Sequence, residues 1–250
     1  MSLLEGLALF GVGIFSGIIN TLAGGGSLIT LPLLIFMGLP SADANATNRL
    51  GIFLQNVFAV RGFKSKGISV FPYGYYAAGS AMLGAVIGAY IAVDISSTLF
   101  NRILAIVMIL VIIVTVLKPI LFKVKEIEIF TKNRKALSIV LFFGVGIYGG
   151  FIQAGIGFLM IAILTNIHGL NMAKTNSIKV FVALCYTTLA IIIFVIEDKI
   201  QWEYGICLAI GAATGGWIAS RWSVGKDDKW IRLIMVVTVA GLAIKLWFFG

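Results

Sequence analysis

GGGSLITLPLLIFMGLPSADANATN, residues 24–48, and GIGFLMIAILTNIHGLNMAKTNSIK, residues 155–179, are one pattern written twice. Each copy is a glycine break, a short apolar run, a second break and a polar stretch. At a constant offset of 131, eight positions coincide: Gly24/Gly155, Gly26/Gly157, Leu28/Leu159, Leu33/Leu164, Gly38/Gly169, Leu39/Leu170, Ala42/Ala173 and Asn45/Asn176. Interrupted apolar segments at matching places in two halves of a chain point to the substrate site of a transporter built from repeats.

The surrounding composition agrees. With 60% hydrophobic and 12% charged residues and a mean hydropathy of +1.06, the chain is far from a soluble domain, whose charged fraction is about 25%. Apolar stretches recur at Leu3–Ala23, Val70–Val93, Leu99–Lys118, Ala136–Ala154, Met172–Ile196, Trp202–Ser220 and Ile231–Phe249. Each is long enough, at about 20 residues, to cross the hydrocarbon core as a helix, and none alternates as a barrel strand would. The expected fold is all-α: a polytopic integral membrane protein with two inverted-topology repeats, each holding a broken or re-entrant short helix. Residues 1–118 form the first repeat, 119–135 a basic cytoplasmic linker and 136–250 the second repeat, all within one membrane domain.

Loop charge sets the orientation. Arg61, Lys64 and Lys66 form one basic loop, Lys118–Lys135 a second and Arg221–Arg232 a third, whereas Glu197, Asp198, Lys199 and Glu203 are net acidic. Basic loops stay cytoplasmic. The loops after the two motif copies have opposite sign, so the halves lie inverted, with both termini outside. The start lacks the basic segment of a cleaved leader, so Leu3–Ala23 reads as a retained span of a plasma (inner) membrane protein. A second block supports the duplication: Gly84, Ala85, Gly88, Ile91 and Ala92 recur as Gly211, Ala212, Gly215, Ile218 and Ala219 at an offset of 127. The net charge of +9 is explained by these loops and not by nucleic-acid binding. Small residues four apart, Gly13/Gly17, Ser80/Gly84/Gly88, Gly146/Gly150 and Gly211/Gly215, mark close helix packing.

Ser27–Met37 rises only about 16 Å as a helix, half the hydrocarbon core. The second short run is Phe158–Ile167. A helix N-terminus aimed at the midplane carries free N–H groups and a partial positive charge, so it makes an anion site without a buried arginine. The polar residues around the breaks are the candidate substrate contacts: Asn20, Ser27, Asn45, Thr47 and Asn48 in the first half, and Gln153, Lys174, Thr175, Asn176 and Lys179 in the second. Asn45 and Asn176 suit either helix capping or substrate contact. Gln55 and Asn56, inside an apolar run, read as interhelical hydrogen-bonding residues. Asp43 and Lys174 hold equivalent positions, which an inversion axis would bring together as a gating ion pair; the alternative places both in solvated loops.

These two motifs resemble the sulfite exporter TauE/SafE family of membrane permeases, and the resemblance runs over nearly the whole chain. The glycine cluster, the Pro32-containing short run and the Ala46-Thr47-Asn48 ending carry most of it. The resemblance implies a secondary transporter for small sulfur-containing anions such as sulfite or organosulfonates, without ATP and with about eight spans. Ser27 opposite Phe158 and Asn48 opposite Lys179 depart from strict symmetry.

Two other classes stay in view. A carrier or channel for a cation or neutral solute would turn carbonyl ends toward its cargo, with Asp43 the only acid near the breaks. An intramembrane serine hydrolase would need Ser27 and His168 together. His168 is the only histidine and Cys185 and Cys207 sit in apolar runs, so no metal site is expected. No phosphate-binding lysine loop occurs, no cofactor is expected, and the chain is not expected to be an enzyme. The expected partners are a small anion and the bilayer. Homo-oligomerisation and coupling to a proton or another ion stay open.

Overall fold

The computed structural model describes residues 2–70, 72–121 and 127–222, with the backbone alone over 114–121. The last apolar stretch, Ile231–Phe249, most of the Arg221–Arg232 loop and linker residues 122–126 lie outside the described residues. The rest is helix: α1 (Leu3–Leu22), α2 (Ser27–Phe36), α3 (Ser41–Ser65), α4 (Tyr73–Val93), α5 (Ser97–Leu121), α6 (Lys132–Phe151), α7 (Ile156–His168), α8 (Met172–Ile196) and α9 (Trp202–Trp222). In hydrocarbon every backbone N–H and C=O needs an internal partner, which an uninterrupted apolar run supplies only as helix. Four helices, α1, α4, α6 and α8, are long and apolar enough to cross a membrane, and the fold is that of a polytopic membrane protein. Side-chain caps start several helices: Ser2 with Glu5 at α1, Thr131 at α6 and Asn171 at α8.

The expected glycines make the two closest helix pairs. Gly13 and Gly17 of α1 lie against Leu208 and Ala212 of α9, while Gly211 and Gly215 of α9 lie against Phe10 and Ile14 of α1. Likewise Gly146 and Gly150 of α6 meet Ala81 and Ala85 of α4, while Gly84 and Gly88 meet Phe143 and Ile147. A methyl group at any of these eight places would overlap the neighbouring backbone, so each pair is held at backbone contact. Residue numbers rise together in both pairs, so α1 is parallel to α9 and α4 to α6.

The remaining contacts complete the directions. Gly205 of α9 faces Thr47 and Leu50 of α3, and Gly62 of α3 faces Ser220, so α3 runs with α9. Tyr75 packs on Phe181, and Ala89, Ala92 and Val93 cluster with Ile193 and Phe194, so α4 runs with α8. Between α3 and α8 the order reverses: Arg49 lies over the Phe194 ring, while Ala59 and Phe63 cluster with Val180. Helices α1, α3 and α9 thus run one way and α4, α6 and α8 the other. Exchanging α1 with α6, α3 with α8 and α4 with α9 maps each pair onto another with direction inverted.

Both short helices fold back on the helix before them. Gly26 packs against Ser16 and Asn20, and Leu34 clusters with Leu9. In the second half Ile156 lies against Gly149, and the Arg134 guanidinium donates to the Ile167 carbonyl. One end of the bundle carries Arg61, Lys64, Lys66, Lys132, Arg134, Lys135 and Arg221 on helix ends and turns. The other carries Asp43, Asp94, Glu197, Asp198 and Glu203.

Candidate functional site

The two breaks lie at the middle of the bundle. Asn20 at the end of α1 donates to Gln55 Oε1 at 2.6 Å, and Gln55 donates to Thr21 Oγ1 at 2.9 Å, which fixes the first break beside the centre of the 25-residue α3. Gln153 donates to Tyr186 Oη at 3.0 Å and Thr187 Oγ1 at 3.1 Å, fixing the second beside the centre of α8. The chain turns there through left-handed backbone, at Gly24 (φ 87°), Gly155 (φ 70°) and Gln153 (φ 58°). Gly24 and Gly157 touch backbone to backbone; no residue larger than glycine fits at either.

Each break exposes two kinds of helix end. The carbonyl ends of α1 and α6 are held by buried cations. Lys179 Nζ donates to Asn20 O (3.1 Å), Thr21 O (2.9 Å) and Asn176 Oδ1 (2.8 Å). The Arg49 guanidinium donates through Nη2 to Gly150 O (2.9 Å), Phe151 O (3.2 Å) and Asn45 Oδ1 (3.2 Å), and through Nη1 to Gly149 O and Gln153 Oε1. A cation suits a helix C-terminus because it meets both the orphan carbonyls and the negative end of the dipole. The paired asparagines each hold the local cation, and Asn45 Nδ2 also donates to Phe151 O at 2.7 Å.

The N-terminal ends of α2 and α7 meet at the Gly24–Gly157 contact. Between them lies a cavity of about 10 Å³, room for one water, edged by Asn20, Asn56, Gln153, Lys179 and Tyr186 with the glycine backbones. Arg49 is fully buried and does not line it; Lys179 does. Asn56 is 1% exposed, and its Nδ2 has no hydrogen-bond partner. A buried unpaired donor costs about 1–3 kcal/mol, so a donor left in this state beside a cavity is waiting for an acceptor. Two basic side chains are thus buried at the centre, and among the described residues no carboxylate is buried with them.

The other sequence candidates do not line the cavity. Ser27 is buried as the first residue of α2, and Asn48 accepts from Thr30 Oγ1 at 2.6 Å, bracing α2 on α3. Thr47 accepts from the Gln201 amide at the acidic end, and Thr175 Oγ1 donates to Leu170 O within its turn. Asp43 and Lys174 are not brought together: Asp43 accepts from Gln201 Nε2, while Lys174 pairs with Glu128. Inversion places equivalent residues at opposite ends of the bundle, so an axis through the centre separates these two. His168 is likewise remote from Ser27, its ring nitrogens facing Ile129 O and Ser138 Oγ at 3.0 Å each.

The two ends differ. At the acidic end Ser41 donates to Asn101 at 2.7 Å, and Gln201 bridges Thr47 and Asp43. At the basic end a pocket of about 610 Å³ opens among Tyr73, Tyr76, Glu128, Lys135, Asn171 and Lys174. One apolar cluster, including Met160, Leu164, Leu170, Ile178 and Tyr186, reaches from this pocket to the central cavity.

Sequence reasoning missed Arg49 and read Asn56 as an interhelical residue, whereas it edges the cavity. A signal for Arg49 was present: a base follows the repeated asparagine by about one turn in each half, Arg49 after Asn45 and Lys179 after Asn176. Strict register hid it, because position 48 is the counterpart of Lys179.

Inverted helices, paired mid-bundle breaks and a buried polar centre define a polytopic membrane transporter. A family model for the sulfite exporter TauE/SafE family matches residues 9–246. The chain belongs to that family. It is 26% identical over 243 residues to a probable membrane transporter protein, ORF9, of a Sinorhizobium species, covering 95% of this chain and 90% of the relative. It is 26% identical over 240 residues to the probable membrane transporter protein YfcA of Escherichia coli K12, covering 95% and 88%. A probable membrane transporter protein of Haemophilus influenzae is 24% identical over 235 residues, covering 92% and 89%. No solved structure matches the chain.

Proposed function

We propose that the protein is a secondary carrier of small sulfur-containing anions, sulfite or an organosulfonate, which bind between the N-termini of α2 and α7. The observation that carries this reading is charge: Arg49 and Lys179 are buried at the centre, and no carboxylate is buried among the described residues. Two such cations in a bilayer interior are costly unless helix carbonyls and a bound anion offset them. A cation carrier would reverse that balance, so the charge argues against it.

The roles divide by geometry. Arg49 spends its Nη donors on α6 and does not reach the cavity, so it clamps the second break. Lys179 edges the cavity with its three Nζ donors committed to Asn20 O, Thr21 O and Asn176 Oδ1, so it acts on the anion through its charge, while the unpaired Asn56 Nδ2 and the amides opening α2 and α7 supply the hydrogen bonds. The cavity is smaller than any oxyanion of sulfur, which makes this conformation a closed one. Opening follows when α7 and its apolar cluster move aside toward the 610 Å³ pocket.

The basic end faces the cytoplasm in this reading and the acidic end the outside, in a plasma (inner) membrane, so α1 enters from the outer side. The test is flux into proteoliposomes of radiolabelled sulfite, sulfoacetate, chloride and a neutral amino acid. Sulfite or sulfoacetate entering well ahead of the others supports the proposal; preference for the amino acid rejects it.

A further inference from the structure

A third cavity, of about 530 Å³, lies on the outside of the bundle between α3 and α9. Leu54, Phe58, Ile210, Ala213 and Trp217 line it, with Arg61 at its rim. Ile210 is 52% exposed, so the groove opens sideways, toward the surface that hydrocarbon covers in a membrane protein. From Leu54 to Arg61 the wall rises about 10 Å along the helix axis, much of the depth of one leaflet.

The groove has a charged end. Arg61 stands one turn before the end of α3, 5.8 Å above the Phe58 ring, and Arg221 on the last turn of α9, 5.1 Å above the Trp217 ring. The two rings meet edge to face at 6.4 Å. The aromatic pair thus carries one guanidinium over each ring at the basic end, Arg61 lining the groove and Arg221 standing beyond its lining. Among the described residues neither has a carboxylate within ion-pair distance. Planar guanidinium groups with open donors match phosphate oxygens two at a time.

The repeat supplies an internal comparison. The position 131 residues after Arg61 is Ile192, and the position 127 residues before Arg221 is Asp94. The matching helix pair, α4 with α8, therefore has an acid and an apolar residue where α3 and α9 have two arginines. Architecture alone would have treated both faces alike.

We propose that the α3–α9 groove binds an anionic glycerophospholipid, its acyl chain along Leu54, Phe58 and Ile210 and its phosphate between Arg61 and Arg221. A phosphate ester is shared by zwitterionic lipids, but a choline headgroup brings its own cation to a site that already has two. The preference is for a headgroup with net negative charge, on the leaflet at the basic end.

The test is thermal unfolding of the full-length, delipidated protein in neutral detergent. Dioleoylphosphatidylglycerol at about 100 times its Kd raises Tm by at least about 3 °C, dioleoylphosphatidylcholine raises it by less than half as much, and inorganic phosphate leaves it unchanged. The Arg61→Gln/Arg221→Gln variant loses the phosphatidylglycerol shift and its preference over phosphatidylcholine. If that variant does not purify folded, Arg61→Gln and Arg221→Gln singly each remove roughly half of the shift. An equal shift with the choline lipid, a full shift in the variants, or the same shift with inorganic phosphate overturns the lipid site. So does stabilisation that follows protein concentration and ignores lipid, which assigns the groove to a second copy of the chain. Anion flux is not the readout, so this result stands or falls apart from the substrate reading.

Discussion

Replacing Arg49 separates a clamp from a ligand. Its Nη atoms donate to three carbonyls at the end of α6, to Gln153 Oε1 and to Asn45 Oδ1. In Arg49→Met the Gly149, Gly150 and Phe151 carbonyls lose this partner in a fully buried setting, and Gln153 loses the contact that holds its left-handed backbone. Removing one side of a buried charged network costs about 3–5 kcal/mol, while the isolated charge that disappears returns part of it. A net loss of about 2–4 kcal/mol is expected. Arg49→Lys keeps the charge but has three donors for five acceptors, so at least two charge-assisted bonds worth about 1.5–3 kcal/mol each are weakened or lost. Unfolding of the purified protein by heat and by denaturant, followed by tryptophan fluorescence, measures both. The reasoning predicts that Arg49→Met is the less stable of the two and that both fall below the native chain. Native-like stability in Arg49→Met together with abolished anion binding would refute it, because Arg49 would then be a substrate ligand and not a clamp.

Three further outcomes follow from the same centre. Asn56→Ala removes a buried Nδ2 donor that has no partner and an Oδ1 that accepts one 3.2 Å bond from Gln55, whose Nε2 keeps Thr21 as acceptor, so stability falls by no more than about 1.5 kcal/mol while sulfite affinity drops about tenfold, as for one lost hydrogen bond to a charged group; a larger loss of stability in denaturant titration with unchanged affinity would mark Asn56 as helix-bridging only. Gly157→Ala drives a methyl group into the Gly24 backbone, an overpacking cost of about 1–3 kcal/mol seen as lowered flux and Tm, whereas Gly11→Ala meets nothing within 4 Å and leaves both unchanged; equal effects would contradict the backbone contact. Glu128→Gln breaks an exposed pair with Lys174, which is worth under about 1 kcal/mol, so Tm barely moves while labelling of a cysteine placed at Leu170 speeds up; unchanged labelling would show that this pair does not close the 610 Å³ pocket.

Much of the architecture was legible because bilayer physics acts on few variables. Continuous apolar runs had to be helices, and glycines four apart had to be close contacts, which Gly13/Gly17 with Gly211/Gly215 and Gly146/Gly150 with Gly84/Gly88 make in matched pairs. The breaks were readable from Gly24–Gly26 and Gly155–Gly157 since each short run was half a span. The site was only partly readable. Arg49 and Lys179 do the same task one register apart, so a comparison at fixed offset pairs Lys179 with Asn48 and leaves Arg49 opposite Val180. Of the two readings open for Asp43 and Lys174, the ion pair fails and the separate placement holds, because inversion carries equivalent turns to opposite ends. Which polar residues face the cavity depends on helix rotation: Thr47 meets Gln201, Lys174 meets Glu128, and Thr175 bonds within its own turn.

The positive centre is tested most directly by calorimetric titration of sulfite into the purified native protein and into Lys179→Gln. At about 5 Å and an effective dielectric near 20, one unit charge is worth about 3 kcal/mol to a bound anion. The account predicts saturable binding by the native chain and at least a hundredfold weaker binding by Lys179→Gln. Equal affinity in the two proteins would contradict it.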